Sequence, residues 1–307
     1  MTASTTSTVR IPPGLVIAPQ LPDLMMPVKI RRGFLGFLRN HPTVAIGGAL
    51  LICLVLMGIF APWLGTVDPT TIAPAKRTRL PSADYWFGTD VLGRDIYSRV
   101  IYGARVSLTV GISVAVLASL AGLAIGLVSG FVRWADGIIM RFMDGLMSIP
   151  PILLAVALMA LTRASVGNVI LAITIAEIPR VSRLVRSVVL SLREQPYVDA
   201  ATASGTRTPM IILRHILPNT LAPMLVQATY ICASAMIVES ILSFIGAGTP
   251  PTIPSWGNIM AEGRALWQVR PHIILFPAVF LSITVLAVNL LGDGLRDSLD
   301  PRLAKTL

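Results

Sequence analysis

The 307-residue sequence is poor in charge: Asp, Glu, Lys and Arg make up 13% of it, against 54% for apolar residues. Soluble domains carry about a quarter charged residues, so this balance points to the bilayer rather than to an ordinary water-soluble enzyme. Lysine is scarcer still. The three lysines follow Val28, Ala75 and Ala304, so no Gly-Lys pair exists. A P-loop needs G-x4-G-K-[ST] to hold phosphates on backbone amides and a lysine, which excludes ATP hydrolysis of that type by this chain alone. Only two cysteines occur, Cys53 and Cys232, both inside apolar runs, and they read as small core residues rather than a disulfide or metal pair. His41, His215 and His272 are scattered beside apolar runs, so no metal site is expected. A nucleophile elbow, a His-Glu-x-x-His helix, paired cysteine clusters and a strand-borne Rossmann fingerprint are missing too. The chain is expected to catalyse nothing alone and to hold no cofactor, so uphill transport would draw on another subunit or an ion gradient.

What the sequence has in abundance is long apolar runs. A helical span needs roughly 20 mostly apolar residues to cross about 30 Å of hydrocarbon. Six stretches meet or approach that length, at about 43–64, 104–131, 146–162, 166–186, 219–246 and 272–294. The expected fold is therefore all-α and polytopic, with six transmembrane helices. Pro150-Pro151 near the start of the third stretch predicts a kinked or late-starting helix, and the fourth is apolar only to about Ile178. The first forty residues are too polar for a cleaved signal peptide, so the first span is expected to stay in place.

The formal net charge of +10 invites a nucleic-acid reading, but the distribution of arginines argues for a membrane. With the N-terminus inside, most basic residues fall in cytoplasmic segments, and those outside gather in one long loop that says little about orientation. Both termini are expected in the cytoplasm. The implied organisation is a cytoplasmic tail over 1–42, a first span over 43–64, and an external loop with an amphipathic segment over 65–103. A five-helix core follows over 104–294, including a cytoplasmic loop at 187–218, and then a C-terminal tail over 295–307.

Several local patterns carry expectations. From Phe87 to Leu108, Val91, Leu92, Ile96, Val100 and Ile101 alternate with Asp90, Arg94, Asp95 and Arg99, which reads as an amphipathic helix at the outer interface or as a contact for an outside partner. Gly122, Gly126 and Gly130 recur every four residues, the period that lets membrane helices pack closely. Glu177 and Glu239 are the only acids deep in expected spans, where each needs a partner or a water-lined cavity. Glu177 precedes Pro179-Arg180, and local pairing and pathway lining stay open for it. Glu239, followed by Ser240 and Ser243, is expected to face the bundle interior, lining a path or tying helices together. Arg180, Arg183 and Arg186 read as snorkelling to headgroups. Trp256, in a proline-rich loop, reads as an interfacial anchor. Between Tyr197 and Asn219 a polar loop interrupts the apolar runs. An acid-Ala-Ala triplet opens a short helix at Asp199, Gly205 turns the chain, and Leu217-Pro218 ends one run and starts the next.

That loop resembles the "EAA" loop of ABC importer permeases (E-A-A-x3-G-x9-I-x-L-P), with Asp199 for the usual Glu and His215 where the short pattern has Ile, Ile216 lying next door. Further blocks extend the likeness: F-G-T-D-V-L-G-R-D-I-Y-S-R-V-I-Y-G-A-R-V-S-L from Phe87, D-G-L-M-S-I-P-P-I-L-L from Asp144, the stretch Arg183–Gly205, E-S-I-L-S-F-I-G-A-G-T-P-P-T-I-P-S-W-G-N from Glu239, and the ending N-L-L-G-D-G-L-R-D-S-L-D-P-R. Over roughly residues 30–305 the chain is similar to the C-type permease subunits of dipeptide and oligopeptide ABC importers. Glu177 and Ile178 fall near a position where that family often has Trp, so the resemblance assigns Glu177 no role. It implies a type I importer fold in the cell inner membrane, with a second homologous permease subunit, two ABC ATPase subunits that bind ATP and Mg, an external solute-binding protein, and lipid around the spans. The Asp199–Gly205 helix would dock on an ATPase with Ala200, Ala201 and Ala203 on its docking face, Gly205 and Pro218 would set its angle, and Leu217 belongs to the same coupling loop. Short peptides are the implied cargo; nickel, glutathione, opines and oligosaccharides travel through relatives. An ion-gradient secondary transporter, which predicts inverted repeats, and a purely structural scaffold are the rivals from other classes.

Overall fold

The computed structural model describes Leu38 and residues 41–299; most of the expected N-terminal tail and the last residues of the C-terminal one lie outside the described residues. The chain runs through α1 (Pro42–Ile59), α2 (Ile96–Phe131), α3 (Arg133–Met147), α4 (Pro151–Ala160), α5 (Val166–Arg193) and α6 (Pro196–Ala203). It continues with α7 (Thr208–Phe244, containing a π turn at Ile212–Ile216), α8 (Trp256–Gly263) and α9 (His272–Leu299). Among the described residues there is no strand, only an isolated bridge between Thr89 and Asp95. In lipid every backbone polar group must be satisfied within the segment, which is why apolar runs of this length become helices. Side-chain caps fix several starts: Asp95 accepts from the Ser98 amide, Ser165 from Asn168 and Ser255 from Asn258.

Among the described residues four helices, α1, α2, α7 and α9, are long and apolar enough to cross a membrane. The third expected span is broken: α3 and α4 meet at 86° across Ser148–Pro150 and count as a fifth crossing only if taken together. Proline 150 cannot continue α3, and Pro151 occupies the first turn of α4. The fourth expected span, α5, has 28 residues, but arginines fill its second half. The region around Arg133 and Asp136 is helical as α3.

Helix α2 is the central post. Its 36 residues extend about 54 Å, well beyond a hydrocarbon core of about 30 Å. On one side it lies against α5, and on another against α7. Without a hydrophobic drive between helices in lipid, close backbone approach supplies the packing energy. Gly122, Gly126 and Gly130 of α2 face Val181, Val185 and Val189 of α5 in register. A Cβ on Gly126 would come within 2.6 Å of Val185 Cβ and 2.8 Å of the Ser182 carbonyl. The α1–α9 pair uses the same device at Gly47, where a Cβ would lie 2.7 Å from the Ala287 carbonyl.

The bundle has two chemically distinct ends. At one, Trp256 is fully buried and its Nε1 donates to the Val100 carbonyl at 3.0 Å. This corrects the interfacial reading of Trp256; the exposed tryptophans at this end are Trp63, Trp86 and Trp267. The expected amphipathic helix at Phe87–Leu108 is corrected as well. Residues 87–95 form an irregular loop, α2 begins at Ile96, and the charged residues turn inward. Asp90 and Arg99 are almost fully buried. Arg94 Nε reaches Asp90 at 2.7 Å and its Nη2 reaches Glu262 of α8 at 2.5 Å, while Arg99 pairs with both acids. Two arginines and two carboxylates compensate one another, as buried charges must.

Candidate functional site

At the opposite end the chain leaves α5, forms α6, and returns as α7. Helix α6 starts at Pro196 in its first turn, with Asp199 one turn in. The helix therefore begins three residues before the acid that the sequence pattern takes as its start, because proline is preset for an N-terminal turn. Its end is a Schellman motif: Gly205 N–H donates to the Thr202 carbonyl at 3.0 Å and Thr206 N–H to the Ala201 carbonyl at 3.1 Å. Gly205 has φ +77°, and a Cβ there would meet nothing within 4 Å. Glycine is needed for the left-handed backbone, not for space.

The next break is also corrected. Leu217-Pro218 does not separate two runs: α7 starts at Thr208, with Pro209 in its first turn, and passes Leu217-Pro218 without a gap. The π turn at Ile212–Ile216 stands immediately before Pro218, where a missing N–H would otherwise interrupt the ladder. Ile216 is fully buried and fills the core, whereas His215 stays partly exposed with its ring 6.3 Å from that of Tyr197.

Each candidate residue of the loop can now be placed. Val198 and Ile211 are buried and fix α6 to the bundle. Ala201 is half-buried against the core, while Asp199, Ala200, Ala203 and Gly205 are exposed. Leu217 is half-buried and Pro218 exposed. The apolar side chains of Tyr197, Met210 and Leu213 stand exposed around α6. Beside it, a groove of about 390 Å³ is lined by Phe131, Arg133, Arg193, Glu194, Val198, Asp199 and Thr202. The foundation is ionic. Arg186 clasps Asp136 of α3 through two contacts of 2.5 and 2.6 Å, and Arg183 reaches Asp144 at 2.5 Å. The arginine row of α5 thus pairs with acids of α3, which corrects the snorkelling reading; Arg180 pairs with Glu177 at 3.3 Å. The geometry makes α6 a small, exposed helix mounted between two long ones.

The second candidate group, Glu239 and Ser243, is buried at the Trp256 end. Ser243 Oγ donates to Glu239 Oε1 at 2.8 Å and lies 3.1 Å from Thr249 Oγ1, which lies 3.3 Å from Ser255 Oγ. Asn258 Nδ2 then ties Thr249 Oγ1 at 2.9 Å to the carbonyls of Pro250 and Ile253, both at 3.0 Å. These contacts join α7, the loop after it and α8. Asn258, Thr249 and Glu262 are absent from the sequence-derived sites; Glu262 is the one acid between Glu239 and Asp293, a signal available to a reading that asked which acid neutralises Arg94 and Arg99. Among the described residues no three His, Cys, Asp or Glu side chains come together to hold a metal ion.

Comparison with known proteins places this architecture in a class. Residues 118–305 match the family of binding-protein-dependent transport system inner membrane components, and residues 32–81 match the N-terminal TM domain of oligopeptide transport permease C. The chain belongs to that family of binding-protein-dependent permeases. It is 54% identical over 264 residues (86% of this chain, 90% of the relative) to a probable peptide ABC transporter permease protein, y4tQ, of Sinorhizobium fredii. It is 41% identical over 267 residues (87% and 88%) to the dipeptide transport system permease protein DppC of Alkalihalophilus pseudofirmus. The glutathione transport system permease protein GsiD of Pectobacterium atrosepticum is 38% identical over 291 residues, covering 94% of this chain and 96% of that one. A chain from an inward-facing structure of the MetNI methionine ABC transporter matches 66% of this chain and 96% of its own length, with a TM-score of 0.56 at 19% identity. The fold is that of a type I ABC importer permease, and the chain is a multi-pass membrane protein.

Proposed function

We propose that this chain forms half of the translocation pore of an ATP-driven importer of short peptides and catalyses nothing itself. A second homologous permease would complete the pore. Two ATPase subunits, binding ATP and Mg, would sit beneath, and an external binding protein would deliver the solute. Both termini and the 187–218 loop would face the cytoplasm, where the basic residues of α3 and α5 accumulate. The observation that carries this reading is α6: an eight-residue helix with small exposed residues, closed by a Schellman turn and joined by short turns to a long helix on each side. Asp199, Ala200 and Ala203 offer a docking face, and Val198 and Ile211 carry its displacement into α5 and α7. Peptide cargo is supported by the names of the relatives from Sinorhizobium and Alkalihalophilus, and a glutathione reading by that from Pectobacterium. Affinity purification of the tagged chain from its native membrane, with mass spectrometry of retained proteins and small molecules, tests both. A second permease, P-loop ATPases and a binding protein loaded with peptide are expected. Isolation alone, or as a self-oligomer, would reopen the ion-gradient transporter.

A further inference from the structure

Half-way down the bundle a charged pair stands on a face that this chain leaves uncovered. Glu177 of α5 is 2% exposed; its Oε1 accepts from Ser234 Oγ of α7 at 3.3 Å. Its Oε2 accepts no hydrogen bond and has only the 3.3 Å ion pair with Arg180 Nη1. The Arg180 side chain is 39% exposed, and its guanidinium lies 5.6 Å from the ring centre of Tyr230, itself 54% exposed. Two further polar groups are unpartnered on these same helix faces. Thr174, one turn before Glu177, is buried with a free Oγ1, and Gln227, one turn before Tyr230, has a free Nε2.

Depth decides what this face meets. Glu177 is 11 residues from the start of α5 at Val166 (177 − 166), and Ser234 is 10 residues from the end of α7 at Phe244 (244 − 234). At about 1.5 Å per residue the counts place Glu177 and Ser234 roughly 15–17 Å from the Trp256 end, about the middle of a hydrocarbon core, and Arg180, 14 residues into α5 (180 − 166), at about 21 Å. A buried carboxylate at mid-depth, tied to a partly exposed guanidinium still inside the hydrocarbon, is costly unless its surroundings are polar. Water or another subunit must therefore cover it, and in a permease a polar face at mid-depth with unspent hydrogen-bonding groups is where solute passes.

We propose that Glu177 and Arg180, with Tyr230 and Ser234, line the solute path and take a zwitterion, the ammonium group of a short peptide on Glu177 and its carboxylate on Arg180. This inference rests on the peptide reading above. The ion pair lacks hydrogen-bond geometry, so opening it forfeits little, and a free-ended dipeptide restores one opposite charge to each member. The charged ends stand 3.3 Å apart, and as flexible side chains on Cβ atoms about 5–6 Å apart they can part to admit the roughly 7 Å of an extended dipeptide.

Two measurements on the importer reconstituted with its ATPase and binding-protein partners separate this site from the peptide reading. ATP-driven uptake of dialanine by the wild-type complex tests the peptide reading. Labelling of Ser234→Cys, in a Cys53→Ser, Cys232→Ser background, by a cationic membrane-impermeant methanethiosulfonate tests the site without recourse to the binding protein's own selectivity. The thiol is expected to label. Dialanine should slow labelling by about tenfold and N-acetyl-dialanine, which lacks the ammonium, by about twofold or less. Glu177→Gln should bring dialanine down to the acetylated level, and Glu177→Asp should restore its advantage. A thiol that does not label, or is protected equally by both peptides, overturns the site even where uptake is normal; so does protection that survives Glu177→Gln. Absent dialanine uptake overturns the peptide reading and with it the substrate assigned here.

Discussion

Gly205 and Gly246 end α6 and α7 with the same backbone device, one at each end of the bundle, yet their surroundings are opposite. Gly246 has φ +85° and, like Gly205, room for a Cβ. Its N–H donates to Ser243 and the Ala247 N–H to Leu242, repeating the two Schellman bonds of α6. Around Gly246 the structure is locked by long-range contacts: the quartet of Asp90, Arg94, Arg99 and Glu262, the buried Trp256, and the serine and asparagine network below Glu239. Around Gly205 the surface is exposed, and one short helix is held by Val198, Ile211 and the α3–α5 ion pairs. One end is built to keep its shape in isolation. The other, on the coupling role proposed for α6, is the end that a partner would grip.

The sharpest way to break this contrast is to attack the locked end. Arg99→Ala leaves Asp90, fully buried, with one arginine in place of two, and leaves Glu262 half-compensated. Removing one member of a buried ionic group costs about 3–5 kcal/mol. The expected result is a large fall in thermal midpoint in detergent, measured by intrinsic fluorescence. A fall no greater than that of an exposed control, Arg207→Ala, would show that this end is not the rigid one.

Next in size is the α2–α5 contact that connects the two ends. Gly126→Val drives a branched side chain against Val185 and the Ser182 backbone, so the helices must part. Overpacking of this kind costs about 1–3 kcal/mol. Val185→Ala alone should cost less, and the double variant should recover part of the loss, because the Ser182 carbonyl still blocks full approach. Strict additivity of the two changes in thermal midpoint would refute direct contact.

The same contrast explains how much of the molecule was legible. The end of α6 could be read because Gly205 acts within a few residues of the helix it closes, and turn chemistry is local. Even so, the helix starts at Pro196 rather than at Asp199, and the π turn leaves no pattern in the sequence. Pro150-Pro151 announced a break but not its 86° angle, which depends on what α3 packs against. The quartet at the other end was illegible because its partners lie far apart in sequence, Glu262 being 163 residues from Arg99 and 168 from Arg94. Alternating charges next to apolar residues look the same whether they face water or one another. The arginine row of α5 failed for the same reason. Snorkelling and pairing predict the same residue types, and only the fold of α3 onto α5 brings Asp136 and Asp144 within reach.

A smaller effect separates burial from anchoring. Trp256→Phe keeps most of the apolar volume but removes the indole N–H bond to the Val100 carbonyl, which keeps its partner in the α2 ladder. Loss of one such hydrogen bond costs about 0.5–1.5 kcal/mol, whereas Trp267→Phe, at an exposed position, should leave the thermal midpoint almost unchanged. Equal effects would return Trp256 to the interface.

The matched glycines give the finest test. Gly205→Ala and Gly246→Ala impose the same backbone penalty, about 1–2 kcal/mol for an L-residue held in the left-handed region, and neither Cβ meets a neighbour. Asparagine tolerates that region better, so both Asn variants should lose less. Stability alone therefore cannot distinguish the two positions, and any difference in activity must come from what each turn holds. With the whole importer in proteoliposomes, Gly205→Ala is expected to lower peptide uptake per ATP hydrolysed by loosening the end of α6. Gly246→Ala is expected to leave that ratio unchanged, because the surrounding network holds α7 and α8 regardless. If the two variants lower the ratio equally, α6 has no special part in coupling, and the division of the molecule into a rigid end and a lever fails with it.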